Sequence, residues 1–361
     1  MSKSQDNKPR VTQKDIAQVA DVSRVTVTYA LKDNPCLPLE TRERIQRIAR
    51  EMGYMRDPLF ATLARYRSRA PASCHGVIAW LVWESGSSSQ SHWRSSPYYL
   101  DYFNGATARA RHHGYQVEEF QFNADEMSRK RVGGILHARG ISSILLCPTA
   151  ALRTGIGVFP WQNFSSLSFG YTLRDPALHT VASAHFQNVR TAMREIRQRG
   201  YHRIGLIISS LTDIRCNRFA SSAFIAEQLA VESVVQNQII LPLCYDPEHF
   251  PICESNGPYL DLVVNYAQKN QLDAVLTADY QFDWQSAFSE EIDVFGLSLP
   301  APNLHLEGVV EDSFRIGEVA VDQLVAMIQR GEHGIPRTPI GTHIEGIWHG
   351  MEDPATVQSA P

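Results

Sequence analysis

The chain has 361 residues, 43% of them apolar, with 34 Lys/Arg against 38 Asp/Glu and a formal net charge of −4. That length allows roughly two or three domains at ~100–200 residues each, and the apolar share suits a chain with a buried core rather than a disordered one. No apolar run reaches the ~18 residues needed to span a bilayer, and the polar start MSKSQDNKPR lacks the apolar stretch of a signal peptide, so a cytoplasmic location is expected. Six cysteines (Cys36, Cys74, Cys147, Cys216, Cys244 and Cys253) show no CxxC pairing and no metal-ligand spacing, so free thiols are expected and neither a metal nor a cofactor is.

Residues 1–10 read as a disordered tail. From Val11 the sequence VTQKDIAQVADVSRVTVTYAL predicts two short helices joined by a tight turn. Thr12 and Asp15 have the spacing of a capping box, and Ile16, Val19 and Ala20 form an apolar stripe. Asp21-Val22-Ser23 supplies the turn. Ser23 caps the second helix, whose Val27, Ala30 and Leu31 face inward and leave Arg24, Val25, Thr28, Tyr29 and Lys32 outside. A third helix is expected from Leu39 to Met52, burying Ile45, Ile48, Ala49 and Met52 and stopping at Gly53. Two helices so joined can lay the second in the DNA major groove. A three-helix bundle with no nucleic-acid role has the same spacing, and charge favours the first reading. Residues 1–69 carry 14 Lys/Arg against 8 Asp/Glu, a basic end on an acidic body.

Next comes RDPLFATLARYRSRAP. Asp57-Pro58 is a helix-start signal, and Leu59 and Leu63 share a face of a helix too short to be stable alone. From about residue 75 strands and helices alternate. GVIAWLVW (76–83) reads as a strand buried on both faces, followed by a helix at 100–113, a strand at 115–122, a helix near 125–138 and a strand at 141–148. The helix, Gly-Tyr, strand order of ARHHGYQVEEF returns in AMREIRQRGYHRIGLII. Strands LDAVLTA (272–278) and IDVFGLSL (292–299) and a closing helix at 313–331 complete the pattern. Such alternation implies doubly wound parallel sheets. Gly133-Gly134 reads as a helix break. The chain has no GxxxxGK[ST], HExxH or GxSxG, so catalysis is not expected.

The N-terminal segment resembles the DNA-binding domain of the lactose-repressor (LacI/GalR) family of bacterial transcription regulators. The matching residues are Val11-Thr12, Asp15-Ile16-Ala17, Ala20, Val22-Ser23, Thr26-Val27, Leu31, Thr41-Arg42-Glu43-Arg44-Ile45 and Gly53-Tyr54. It departs at the turn, where Asp21 replaces a usual Gly, and at the third helix, where Pro38 replaces a capping Ser. GYHRIGLI, DAVLTADY and IGEVAVDQLVAMI match the family's bilobed effector domain more loosely. The resemblance implies a small all-α helix-turn-helix domain followed by an α/β bilobed periplasmic-binding-protein-like domain. The expected divisions are a tail at 1–10, the helix-turn-helix domain at 11–56, a hinge helix and linker at 57–70, the effector-binding and dimerisation domain at 71–350, and a tail at 351–361.

By the same resemblance Arg24, Val25 and Tyr29 read base edges, Thr12, Ser23, Thr28 and Lys32 contact phosphate, and Leu63 wedges into the minor groove. Phe60 stands where the family has a small residue. The chain is expected to cross between lobes near Val181, near Val310 and after the closing helix, with an effector cleft between them. Trp83, Arg218 (with Arg215 as the alternative register), Asp279 and Ser298 fall at effector positions. Tyr280 and Ser298 replace acidic residues there, so one commonly bidentate carboxylate is missing. The Ser-rich stretch 84–99, with Trp93, Tyr98 and Tyr99, could close over the cleft or form a surface insert. The expected partners are an operator duplex, a small-molecule effector of carbohydrate type and a second copy of the chain. The tail after Trp348 lacks leucine heptads, which predicts a dimer rather than a tetramer. The rival reading is a small-molecule-binding protein with a vestigial DNA domain.

Overall fold

The computed structural model describes residues 11–31, 36–52, 54, 76–84, 93–123, 129–148, 158–230, 239–251, 257–288, 292–302 and 306–350. The expectations for both tails, Lys32 and the hinge with Leu63 lie outside these residues. The strand bearing Trp83 is described; its side chain is not. The chain divides into two compact units, Met1–Ala72 and Ser73–Pro361.

The first unit holds α1 (Gln13–Ala20), α2 (Arg24–Leu31) and α3 (Leu39–Glu51). The Thr12/Asp15 capping box forms: Asp15 N–H donates to Thr12 Oγ1, and Thr12 N–H donates to Asp15 Oδ2 at 2.7 Å. Asp21 ends α1 in the left-handed region at φ 51°, which a short polar side chain tolerates better than most. Pro38 precedes α3 with no side-chain cap. Ile16, Ala17, Ala20, Val27, Ala30, Ile45 and Ala49 form the core. Val19 is not in it; it is 60% exposed. The buried face of α1 centres on Ala20, and one residue of helix turns Val19 about 100° away from it. Leu31, Ile48 and Met52 pack at the rim rather than inside.

The second unit is built on two six-stranded sheets. The first holds β1 (Gly76–Glu84), β2 (Tyr115–Asn123), β3 (Ser143–Leu146), β4 (Ser165–Phe169), β5 (His179–Ser183) and β11 (Gly341–Ile344). The second holds β6 (Ile204–Ser209), β7 (Leu243–Tyr245), β8 (Ala274–Thr277), β9 (Asp293–Leu299), β10 (Gly308–Val310) and β12 (Ile347–His349). The strand orders are β11-β5-β4-β3-β1-β2 and β12-β10-β9-β8-β6-β7. Neighbouring strands pair in parallel except β10 with β12.

Helices cover both faces of each sheet, as parallel sheets require. Ile78, Trp80 and Val82 of β1 meet α4 (Pro97–His112) and α11 (Ser313–Arg330), while Ala79 and Leu81 meet α5 (Arg129–Ala138) on the opposite face. In the second lobe α6 (His185–Gln198) and α8 (Phe219–Leu229) pack with Leu206 and Leu276. On its other face α9 (Pro258–Asn270) packs with Ile207 and Val275. Two short helices, α7 (Ser210–Arg215) and α10 (Trp284–Ala287), follow β6 and β8.

Gly133 and Gly134 lie inside α5, correcting the expected helix break. The first is small because a Cβ there would sit 2.3 Å from Pro160 Cγ. A closer approach joins α4 and α11. A Cβ on Gly105 would lie 1.9 Å from the Phe314 carbonyl oxygen, and one on Gly317 would lie 2.0 Å from that of Tyr102.

The chain passes between lobes three times, between β5 and α6, between β10 and α11, and between β11 and β12. Buried Asn188 ties the first crossing to the third. Its Nδ2 donates to Ser183 Oγ at 3.0 Å, and its Oδ1 accepts from Gly346 N–H at 2.8 Å. Buried Glu311 holds the second crossing, accepting from the Tyr102 hydroxyl at 2.7 Å and from Ser313 at 3.3 Å.

Candidate functional site

The first unit fixes α2 from its inner side. Ser23 Oγ accepts from Thr26 N–H at 3.1 Å, capping the helix. Gln46 Nε2 donates to the Ala30 carbonyl at 2.9 Å, which satisfies one of the orphan carbonyls at the other end. The Thr28 hydroxyl sits between the Arg24 carbonyl at 3.0 Å and Gln13 Oε1 at 3.1 Å, locking α2 to the start of α1. Gln13 and Gln46 are the positioning groups that sequence reasoning missed. No periodicity signals a side chain that bonds a neighbouring helix.

What remains outside is Arg24, Val25 (59% exposed) and Tyr29 (42% exposed). Among the described residues no hydrogen bond or ion pair engages the Arg24 guanidinium. Thr12 and Ser23 lie exposed at the N-termini of α1 and α2, where free N–H groups and the helix dipole favour an anion. Their hydroxyls are engaged locally, with Asp15 and Thr26, and that of Thr28 is turned inward.

Where the lobes of the second unit face each other, at the expected effector cleft, aromatic side chains meet. Tyr98 and Tyr99 stand on the first turn of α4, which Pro97 opens. The Tyr98 hydroxyl donates to the Ser298 carbonyl of the facing lobe, and its ring lies edge-on to Tyr280 with centroids 6.4 Å apart. Arg215, closing α7, donates through Nη2 to the Tyr99 hydroxyl, and its guanidinium carbon lies 5.9 Å from that ring. Tyr171 meets Phe219 edge-on at 5.3 Å, and its hydroxyl is 2.7 Å from His343 Nε2.

Burial disfavours the charged form of several titratable groups here. It pushes the Cys216 thiol and the Tyr171 hydroxyl up to about 12. It pushes His185 down to about 4, with His343 and Arg215 adding to that. Burial also raises the Glu311 carboxyl, while hydrogen bonds from Tyr102, Ser183 and Ser313 pull it part of the way back.

The expected effector residues separate. Arg218 sits at φ 58° at the start of α8 and is exposed, whereas Arg215, the alternative register, reaches the Tyr99 hydroxyl. The turn Cys216–Arg218, with Asn217 and Arg218 both at positive φ, rotates the later arginine away. Asp279 faces its own lobe, accepting from the Tyr245 and Tyr259 hydroxyls, each at 2.8 Å. Burial raises its carboxyl to about 6, against the lowering effect of those two bonds. Ser298 lies in the cleft at φ 56° and offers its carbonyl to Tyr98. Trp93 is not a cleft residue: it is buried against Trp80 and Phe103, and its Nε1 donates to Glu119 at 3.0 Å. A separate groove of about 550 Å³ on α6 is lined by Arg190, Arg194, Arg197 and Glu227. Glu227 pairs with Arg190 at 2.8 Å and with Arg197 at 4.0 Å, and Glu195 pairs with Arg194 at 3.2 Å, so each of these arginines has a carboxylate partner.

A capped helix-turn-helix with an outward second helix is joined in one chain to a bilobed α/β unit. Residues 12–57 match the model of the bacterial regulatory proteins of the lacI family. The chain is 30% identical over 105 residues to the HTH-type transcriptional regulator MalR of Staphylococcus xylosus; the match covers 29% of this chain and only 28% of that protein. Solved structures share the fold. The transcriptional regulator CelR–cellobiose complex aligns with a TM-score of 0.50 and 17% identity, covering 94% of this chain and 99% of that one. A LacI transcriptional regulator from Lactobacillus brevis aligns at 0.52 and 15%, covering 76% and 100%. The trehalose repressor from Escherichia coli aligns at 0.51 and 13%, covering 76% and 99%.

Proposed function

We propose that this chain is a sequence-specific DNA-binding transcriptional regulator, acting as a repressor on a near-palindromic operator as a homodimer. One observation carries the reading: α2 is bonded to α1 and α3 on its inner side, while Arg24, Val25 and Tyr29 point outward and uncommitted. Arg can contact guanine in a bidentate manner, and Val can touch a thymine methyl. Thr12, Ser23, Thr28 and Lys32 are assigned to phosphate, which positions the domain without reading sequence. The engaged hydroxyl of Thr28 makes it the weakest member of that set.

The cleft is read as the site of a small-molecule effector of carbohydrate type. The cellobiose-bound relative and the trehalose repressor support that choice by analogy of fold. A hinge helix within 57–70, with Leu63 wedged at the operator centre, would pass lobe movement to the DNA through dimer geometry. The chain is read as cytoplasmic and without catalytic activity. Its relatives are regulators, and among the described residues no helix is long and apolar enough to cross a membrane. A gel-shift titration of the full chain against its own upstream DNA tests the reading. Regulation predicts a protected palindrome and an affinity that falls steeply with salt. Weak binding to all DNA alike would favour the small-molecule-binding rival.

A further inference from the structure

We propose that Gln13 and Gln46 govern which bases this chain reads, by fixing the roll of α2 about its own axis, and that Thr28 serves this clamp rather than phosphate. The inference rests on reading α2 as the helix that enters the DNA groove. It starts from how little else holds α2. Of its residues only Val27 and Ala30 are buried, with Leu31 at the rim. Two small side chains three positions apart make a narrow stripe. Such a stripe seats the helix on its neighbours but resists its rotation weakly. Rotation matters most to Arg24. A guanidinium about 8 Å from the helix axis moves ~3 Å for a roll of ~20°, nearly the ~3.4 Å step between base pairs.

Two amide side chains supply the missing resistance, each from a different helix. On the α1 side the Thr28 hydroxyl lies 3.1 Å from Gln13 Oε1 and 3.0 Å from the Arg24 carbonyl. A hydroxyl has one proton to give. The Arg24 carbonyl already accepts the Thr28 backbone N–H in the ladder of α2, so the proton goes to Gln13, which acts as an acceptor. Thr28 stands four residues from Arg24 and on the same side of α2, so this bond holds the side that carries the arginine. On the α3 side Gln46 Nε2 donates to the Ala30 carbonyl at 2.9 Å. That carbonyl lies in the last turn of α2 and has no donor within the helix. The two glutamines therefore brace α2 by opposite chemistry, one accepting and one donating. Phosphate contacts carry no sequence information and tolerate a turned helix, whereas base contacts do not. The clamp therefore bears on specificity.

The test takes duplexes that the full chain selects from a random pool and measures affinity for them and for scrambled duplexes. The ratio of the two cancels changes in phosphate binding, including those from an added charge. Gln13→Leu, Thr28→Val and Gln46→Leu should each lower the ratio roughly tenfold, one neutral hydrogen bond being lost in each of two half-sites. Gln13→Leu combined with Thr28→Val should lose no more than either alone, because both remove the same bond. Glutamate separates the two roles. Gln13→Glu keeps an acceptor for Thr28 and should restore most of the ratio lost in Gln13→Leu. Gln46→Glu sets a carboxylate against the Ala30 carbonyl and should lose at least as much as Gln46→Leu. A melting transition near that of the parent shows that a variant is folded, and the two Glu variants, equal in charge, carry the comparison if a Leu variant is not. Equal loss on selected and scrambled duplexes in Thr28→Val would make Thr28 a phosphate contact and overturn the proposal. Additive losses in the double variant, or a loss in Gln13→Glu as large as in Gln13→Leu, would overturn it too. A parent chain that selects a sequence while every variant keeps its ratio sinks this inference alone. A parent chain that selects none removes the DNA-reading function itself, and the clamp with it.

Discussion

Arg24 and Val25 are neighbours at the open end of α2 and offer a DNA groove different chemistry, a charged fork and a small apolar cap. Arg24→Ala should cost roughly 1–3 kcal/mol on the operator and relax preference at one base pair in each half-site. Selection from random duplexes measures this, and an unchanged site logo would show that Arg24 does not read bases. Asp279 gives a second test at this scale, through pH. Its carboxyl is held at about 6 in the fold against 3.8 ordinarily. The folded chain therefore binds that proton more tightly than the unfolded one. The resulting stability is fully present below the ordinary value and is lost as pH rises through about 6. Asp279→Asn, which keeps an acceptor for Tyr245 and Tyr259, should flatten that part of the melting profile between pH 4 and 7. A variant whose profile ran parallel to that of the parent chain would show that Asp279 does not titrate there.

At the scale of elements, the tightest joint is the crossing of α4 and α11 at Gly105 and Gly317. A methyl group at either position meets backbone rather than a side chain that can swing away. Gly105→Ala or Gly317→Ala should each destabilise the second unit by about 1–3 kcal/mol. Denaturant unfolding checks this, and a neutral result would mean the helices separate freely. The hinge carries another prediction. Leu63→Ala should lower specific affinity and reduce operator bending in a circular-permutation assay, while non-specific binding stays nearly intact. Normal bending and affinity would return Leu63 to a packing role.

These elements differ in how much of them can be read from sequence. The caps of α1 and α2 and most of the apolar stripes of α1 to α3 are legible because Thr12 and Ser23 satisfy the helix starts and each short helix needs an apolar face to pack; Val19, at the edge of its stripe, is the exception. The run in β1 is legible because both of its faces are buried. β4 is not, since SSLSF buries Ser165, Ser166 and Ser168 among its apolar residues. Ser165 is satisfied there by donating to the Glu332 carbonyl at 2.6 Å, from a segment 167 residues away. The cleft is legible only in part. Arg215 and Arg218 are separated by a left-handed turn that sequence spacing does not show, and Tyr171 and Glu311 acquire their places from crossings distant in the chain.

For the whole molecule, the lobes are linked by three crossings that Asn188, Ser183 and Glu311 fasten together, so a change in cleft occupancy bears on one shared joint. Such a joint can bias two states only if a ligand prefers one of them. The central claim is that the first unit reads a particular DNA sequence under the control of the second. Its most direct test is selection of random duplexes by the full chain, followed by affinity measurement on the selected and scrambled sites across salt. The expected result is an inverted repeat bound at least roughly a thousandfold more tightly than scrambled DNA at physiological salt, with affinity falling steeply as salt rises. Recovery of no shared sequence, or equal affinity for selected and scrambled duplexes, would contradict it.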